Sequence, residues 1–128
     1  MPTFSEITSI YDQFTTLQLL KRLPADIAYQ EVRVAVAQSE YEQAVDEYST
    51  AEAKELSIQY AKSRLEKYTA QEAKALAETV TIPLHSKVIA AKLNYNKAKL
   101  KFTFLDNLFT AQRKIASLTE AEIRSSIS

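Results

Sequence analysis

The residues most able to do chemistry in this sequence are the lysines and aromatics of one segment, "KLNYNKAKLKFTFLDNLF", at positions 92–109. Four lysines and four aromatic residues share its eighteen positions. Lysine ammonium groups neutralise phosphates, and aromatic rings stack on unpaired bases, so this mixture is typical of surfaces that bind single-stranded nucleic acid. The same residues could instead form the core of a helix with a charged flank. The spacing of the aromatics bears on this choice.

The aromatics of this segment have the spacing of a buried helical face. Steps of three and four residues predict one seam, made of Val88, Ala91, Tyr95, Ala98, Phe102, Leu105, Phe109 and Ala116. A second apolar row lies elsewhere on the circumference and is the predicted oligomer interface: Leu93, Leu100, Phe104, Leu108 and Ile115. Because one partner helix covers only one face, we expect either an N-terminal helix or another copy of the protein to cover the second row.

Charge is distributed unevenly along a chain whose net charge is zero. Residues 82–118 hold seven Lys and Arg against Asp106, whereas residues 23–61 hold eight acidic residues against Arg33 and Lys54. The two segments could attract one another as helices, with each exposed pair worth roughly a few tenths of a kcal/mol. Alternatively, the basic side chains follow a phosphate backbone. The predicted nucleic-acid contacts are Lys92, Lys97, Lys99, Lys101, Arg113 and Lys114.

Side chains that could catalyse a reaction are isolated from one another in the sequence. His85 has no acidic or thiol neighbour at metal-ligand spacing. The acidic cluster at 40–47 lacks the Glu-x-x-His pairs of a di-metal bundle, and the serines of the last four residues have no nearby base. We therefore predict that the protein is not an enzyme, and we expect no catalytic residue, no metal and no cofactor.

The composition favours long helices over sheets. The chain has no glycine and no cysteine, which excludes glycine-rich phosphate loops, disulfides and thiolate metal sites. Its N-terminus has neither a basic leader nor the apolar core of a signal peptide. No run approaches the roughly eighteen apolar residues of a membrane span. We therefore expect a cytoplasmic protein with no membrane partner.

Capping boxes and prolines predict where the helices begin and end. Three capping boxes mark helix starts: Thr3 with Glu6, Thr69 with Glu72, and Thr119 with Glu122. Proline disfavours a helical residue before it, so Pro24 and Pro83 predict boundaries. The predicted helices cover 4–22, 25–80 with or without a break near Tyr68, 83–117 and 120–127. Together they predict one all-α domain over 1–128, a long antiparallel helical hairpin or bundle with an N-terminal helix and a short C-terminal helix.

The long acidic helix also carries a coiled-coil pattern. Two columns repeat every seven residues, and together they predict a seam against a partner helix. The columns are Val34, Tyr41 and Tyr48, and Ala37, Ala44, Ala51, Ile58 and Leu65.

The order of these parts resembles UvsY-type phage recombination mediators. The layout is a long acidic helix ending "SRLEKYT", a polar connector, a helix ending "LDNLFTAQRKI" and a short terminal helix, over residues 25–127. The family consists of small all-helical proteins that form rings, bind single-stranded DNA and help to load a recombinase. The resemblance implies these partners, self-association, and the cytoplasm of a bacterial host. The residues that it implies for DNA binding are Arg64, Lys67, Tyr68, Arg113 and Lys114.

Two functions from different classes follow as predictions. The first is a non-catalytic, oligomeric accessory protein that binds single-stranded DNA as a recombination mediator does. The alternative is a structural or adaptor protein whose helices bind a protein partner without nucleic acid, for instance in a phage particle or as an inhibitor of a host factor.

Overall fold

Two long helices make up most of the molecule in the computed structural model, which describes residues 9–66 and 68–127. A short 3-10 helix, Ile10–Gln13, precedes α1, Thr16–Glu66, and α2, Ala70–Ile127. The two long helices pack against each other, and the described residues contain no strand. The all-α prediction is therefore confirmed.

The start of α1 differs from the predicted helix over 4–22. Phe14 has an extended backbone, with φ −101° and ψ 144°, so the chain leaves the helical conformation there. A capping box restarts it, since the Thr15 N–H donates to Gln18 Oε1 at 2.9 Å and the Gln18 N–H donates to Thr15 Oγ1 at 3.3 Å. The predicted box of Thr3 and Glu6 lies outside the described residues.

Neither internal proline ends a helix, so the boundaries predicted at Pro24 and Pro83 are wrong. An internal proline costs about 3 kcal/mol because it removes a hydrogen bond and crowds the preceding turn. At each proline, the burial of a residue in the same helical turn offsets this cost. Leu23 is 0% exposed, and Thr81 is buried with its hydroxyl donating to the Ala77 carbonyl at 2.9 Å.

The separate C-terminal helix predicted over 120–127 is also wrong, because α2 continues without interruption to Ile127. Thr119 does not cap a new helix. Its hydroxyl donates to the Ile115 carbonyl at 3.0 Å, which satisfies the side chain within the existing helix.

α1 ends at Glu66 and α2 begins at Ala70, in the region of the helix break considered near Tyr68. The Glu72 N–H donates to Thr69 Oγ1 at 3.1 Å, which caps the start of α2. The Tyr68 hydroxyl donates to Gln59, whose Oε1 and backbone oxygen lie 2.9 and 3.1 Å away. This contact anchors the connection to the end of α1.

The chain divides into two compact units, each built from parts of both helices. Unit 1 comprises the residues up to Ala35 and those from Lys97 onward, and unit 2 comprises Val36–Asn96. The core of unit 1 is the cluster of Leu19, Leu23 and Leu105. Larger, half-buried residues pack around that cluster: Tyr11, Phe14, Ile27, Phe104, Leu108 and Phe109.

Small residues fill the interior of unit 2, with rings at its margins. The buried residues with small side chains are Ala37, Ala44, Ala73, Ala77 and Thr81. The rings of Tyr41 and Tyr95 stack with centroids 6.1 Å apart.

The predicted heptad column holds at the start of unit 2 and fails towards the end of α1. Ala37 and Ala44 are buried as predicted, but Ile58 and Leu65 are exposed and Gln59 is buried instead. A straight helix drifts by about 20° per heptad from a seven-residue repeat. Three and four heptads beyond Ala37, the column has therefore turned away from the interior.

Candidate functional site

The six basic residues predicted to bind nucleic acid do not share one side of α2. Lys92 belongs to unit 2 and the other five belong to unit 1. Lys97 and Lys101 lie one turn apart on one side of the helix. At 3.6 residues per turn, Lys99 lies about 200° around the helix from Lys97. The side that carries Lys99 also carries Lys114.

A strip of exposed basic and hydroxyl side chains runs along that side of unit 1, with the exposed carboxylate of Asp106 between its two threonines. We define this basic strip as Lys99, Thr103, Thr110 and Lys114, whose spacings of four, seven and four residues keep them on one side. All four are exposed, and the strip is about 22 Å long at 1.5 Å per residue. Arg113 is exposed beside it, with its guanidinium 5.7 Å from the centroid of the Phe109 ring.

Several of the predicted contacts have no carboxylate partner. Within the described part of the chain, no ion pair forms at Lys92, Lys97, Lys101 or Lys114. An ion pair does join the two helices inside unit 2, where Lys87 Nζ lies 3.1 Å from Glu47 Oε2. The positive charge of unit 1 is therefore available to an external anion at Lys97, Lys101 and Lys114.

The residues of the apolar row predicted as an oligomer interface differ in how far they are buried. Phe104 and Leu108 are half-buried against the core of unit 1, and the Phe104 and Tyr11 rings lie 5.9 Å apart. The chain's own N-terminal segment thus covers part of the row. Leu100 and Ile115 in unit 1, and Leu93 in unit 2, are about half exposed.

The residues singled out by the UvsY resemblance have different environments. Arg64 is exposed, and Lys67 lies outside the described residues. Tyr68 is half-buried, and its hydroxyl bonds to Gln59. Burial raises the pKa of Tyr68, and the neighbouring carboxylates of Glu66 and Glu72 raise it further. Tyr68 therefore has a structural role in the connection between the helices.

A polar network in unit 1 was not predicted from the sequence. The Tyr11 hydroxyl donates to Asp26 Oδ2 at 3.0 Å, and Arg22 Nε donates to the same oxygen at 3.3 Å. Burial raises the pKa of Tyr11 to about 12, and the hydrogen bond to Asp26 and its charge raise it as well. The four-residue spacing of Arg22 and Asp26 was the available signal, but nothing local indicated that Tyr11 would join them.

An open groove of about 580 Å³ lies on unit 2. Its lining residues are Tyr48, Ala75, Glu78, Thr79, Ile82 and His85. The rings of Tyr48 and His85 form one wall, with centroids 5.1 Å apart. A hydrogen bond to Glu52 raises the pKa of Tyr48, with burial a smaller cause, so this phenol stays neutral at physiological pH. The groove therefore offers apolar walls and hydrogen-bonding groups.

Neither a metal site nor a membrane-spanning helix is found in residues 9–66 and 68–127. No three His, Asp or Glu side chains come together there in a way that could hold a metal ion. In the same residues, no helix has the length and apolarity required to cross a membrane.

Comparison with known proteins identifies no relative. No family model matches the chain, and neither does any curated protein or solved structure.

Proposed function

We propose that this protein is a non-catalytic, oligomeric accessory protein that binds single-stranded DNA through the basic strip of α2. The observation that carries the proposal is the exposure of two ammonium and two hydroxyl groups on one side of the helix, at Lys99, Thr103, Thr110 and Lys114. Lysine, serine and threonine side chains are common contacts of phosphate oxygens, and such contacts are independent of base sequence. A strip of this kind fits a backbone that runs along the helix.

The local charge supports the same proposal. On and beside the strip, α2 carries the basic residues Lys99, Arg113 and Lys114 and one acidic residue, Asp106. A concentration of one sign of charge attracts a polyanion and accelerates its association. Binding of this type releases counterions, so it weakens steeply as salt rises.

Tyr29 is the residue of unit 1 that we propose as a base-stacking platform. Tyr29 is 62% exposed, and the Arg33 guanidinium lies 5.8 Å from the ring centroid. Arg33 Nη1 also donates to the Tyr29 hydroxyl at 3.2 Å, which restricts the ring. An exposed, oriented ring stacks on any base, so its contribution would not depend on sequence.

The helical arrangement that we propose is antiparallel within each unit. In unit 1, Leu19 and Leu23 cluster with Leu105, whereas Gln30 Nε2 donates to the Ala98 carbonyl at 3.0 Å. In unit 2, Tyr41 contacts Tyr95 and Tyr48 contacts His85. Within each unit, residues later in α1 therefore contact residues earlier in α2, which supports the predicted antiparallel helical hairpin.

The resemblance to UvsY-type mediators extends the proposal to a partner and a compartment. It supports a recombinase as the protein partner and the cytoplasm of a bacterial host as the location.

Fluorescence anisotropy of a labelled oligothymidylate at low salt tests DNA binding. We expect wild-type protein to bind at micromolar concentration, and Lys99→Glu with Lys114→Glu to weaken binding at least tenfold. The matched control is Lys54→Glu with Lys62→Glu, which makes the same charge change at two exposed positions of unit 2. The control should bind nearly as tightly as wild type.

Three results would reject the basic strip as the binding surface. These are no binding by the wild-type protein, equal losses in both double variants, and a larger loss from Lys97→Glu with Lys101→Glu. The last result would move the contact to the opposite side of α2.

The alternative of a structural or adaptor protein is favoured by a different observation. Aliphatic side chains are more than half exposed on both helices, including Val32 and Val36 on α1 and Ile89 on α2. Such residues commonly mark surfaces for protein partners. If Lys99 and Lys101 serve assembly, replacing both with Glu should disrupt the oligomer. An intact oligomer that no longer binds DNA would favour the first function.

A further inference from the structure

The outer side of α2 in unit 2 leaves two large apolar side chains exposed. The buried positions are Ala73, Ala77 and Thr81, all small. Ile82 and Ile89, in contrast, are 57% and 58% exposed. Removing the exposed apolar surface of both isoleucines from water would favour an association at this side.

The outer side also has a symmetric charge pattern. Ile82 and Ile89 lie three residues before and four residues after His85, and Glu78 and Lys92 lie seven residues before and after it. All five residues are exposed. Neither Glu78 nor Lys92 forms an ion pair within the part of the chain that the structure describes.

The geometry points to a second copy of this chain as the occupant of this side. Two α2 helices pack antiparallel about a two-fold axis at His85, which places Glu78 of each copy against Lys92 of the other. A parallel pair would place like charges together, which is unfavourable. The antiparallel arrangement therefore selects its own copy in one orientation, as an isologous interface requires.

The groove of unit 2 provides the complementary shape. In a pair centred on His85, Ile89 of one copy lies opposite positions 81 and 82 of the other. Ile82 lines the groove together with His85 and Tyr48. Ile89 of the second copy thus enters the groove as a side chain enters the hole formed by a facing helix.

Sedimentation equilibrium tests the interface directly. This interface rests on the oligomeric part of the proposed function and not on its DNA-binding part, so its failure is separate from that of the basic strip. We expect wild-type protein at about twice its chain mass of 14.5 kDa, or a multiple of that dimer. Ile82→Lys with Ile89→Lys should reduce the mass to that of a smaller species. Val36→Lys, at a similarly exposed aliphatic residue on α1, should leave the mass unchanged.

Charge exchange tests the orientation. Glu78→Lys and Lys92→Glu should each weaken the association at least tenfold, and the two together should restore it.

Disulfide formation provides a second readout, since the chain has no native cysteine. A Glu78→Cys protein mixed with a Lys92→Cys protein should form a crosslink between the two variants on oxidation, in preference to crosslinks within either one.

A monomeric wild type would overturn both the interface and the oligomeric part of the proposed function. An oligomer that keeps its mass in the double isoleucine variant would overturn the interface alone. Preferential crosslinks between identical variants would overturn the antiparallel orientation.

Discussion

Tyr11 shows how a single side chain can join the N-terminal segment to α1. Its hydroxyl donates to Asp26, fifteen residues away, and its ring packs beside Phe104. Arg22 closes the network by contacting Asp26 and by lying 4.8 Å from the centroid of the Phe14 ring. These contacts hold the 3-10 helix Ile10–Gln13 and the following Phe14 against the long helices.

The raised pKa of Tyr11 predicts a loss of stability at high pH. Because the folded protein retains the phenol proton up to about pH 12 while the unfolded chain releases it near pH 10, this contribution is present below pH 10 and is lost as pH rises through 12. Tyr11→Phe should therefore lose less stability than wild type over this range. Urea unfolding at several pH values measures the difference, with Tyr29→Phe as the control for removal of a tyrosine hydroxyl. Parallel curves for wild type and Tyr11→Phe would contradict the assignment.

Leu105 is the residue of α2 on which unit 1 depends most for packing. It is 1% exposed, whereas Leu100 on the same helix is 53% exposed. Leu105→Ala should lower the free energy of unfolding by about 2–5 kcal/mol, since it leaves a cavity between the helices. Leu100→Ala should change it by less than about 1 kcal/mol. Similar losses for both variants in denaturant unfolding would show that the core is placed wrongly.

Gln30 is a buried polar residue inside the seam of unit 1. Its Nε2 donates to the Ala98 carbonyl, but its Oε1 has no hydrogen-bond partner within residues 9–66 and 68–127. A buried acceptor without a partner costs about 1–3 kcal/mol. We interpret Gln30 as a residue that fixes helix register at the expense of stability, as polar residues do in coiled coils.

Replacing this residue tests the interpretation. Gln30→Leu should raise the free energy of unfolding by about 1 kcal/mol or more, because the orphaned oxygen is removed. The control is Gln38→Leu, at an exposed position of α1, which should have little effect. A marked destabilisation by Gln30→Leu in urea unfolding would show that the side chain has a partner that stabilises the fold.

At the scale of elements, the two prolines are positions where tertiary packing overrides the local preference of proline for a helix boundary. Pro24 and Pro83 are unfavourable in a helix interior, yet α1 and α2 continue through both. Local rules predict a boundary at each because they do not include the burial of Leu23 and Thr81. Both α1 and α2 continue through their prolines with Leu23 and Thr81 buried.

Pro24→Ala should stabilise the protein if α1 is continuous. Alanine restores a backbone donor and removes the steric conflict, and the expected gain in free energy of unfolding is about 1–3 kcal/mol. Glu31→Ala, at an exposed position in the interior of α1, should change stability by about 0.5 kcal/mol or less. A decrease on Pro24→Ala, measured by urea unfolding, would indicate a true helix boundary.

Some features of the elements could be predicted from the sequence and others could not. The seam from Val88 to Ala116 is confirmed, because every residue assigned to it is buried or half-buried. A three- and four-residue spacing is a local property that the sequence displays directly. The burial of Gln59 in place of Ile58 depends on helix drift over several turns, and the exposure of Ile82 depends on which side the partner helix takes. Neither can be obtained from spacing alone.

At the scale of the whole molecule, both proposed interactions use an exposed side of α2. In unit 1 this side carries the basic strip, and in unit 2 it carries Ile82 and Ile89 between Glu78 and Lys92. The exposed faces of long helices offer surfaces for recognition. The basic strip contains fewer basic residues than were predicted from the sequence, because Lys97 and Lys101 lie on the opposite side of α2 from Lys99.

Photocrosslinking to a single strand that contains bromodeoxyuridine, with the crosslinked peptides identified by mass spectrometry, tests the central claim most directly. Single-stranded DNA should crosslink to peptides of α2 between Lys99 and Ser117, with a second site at Tyr29, and both should disappear as salt rises. Crosslinks confined to other peptides, or none under conditions where the protein is folded, would contradict the account.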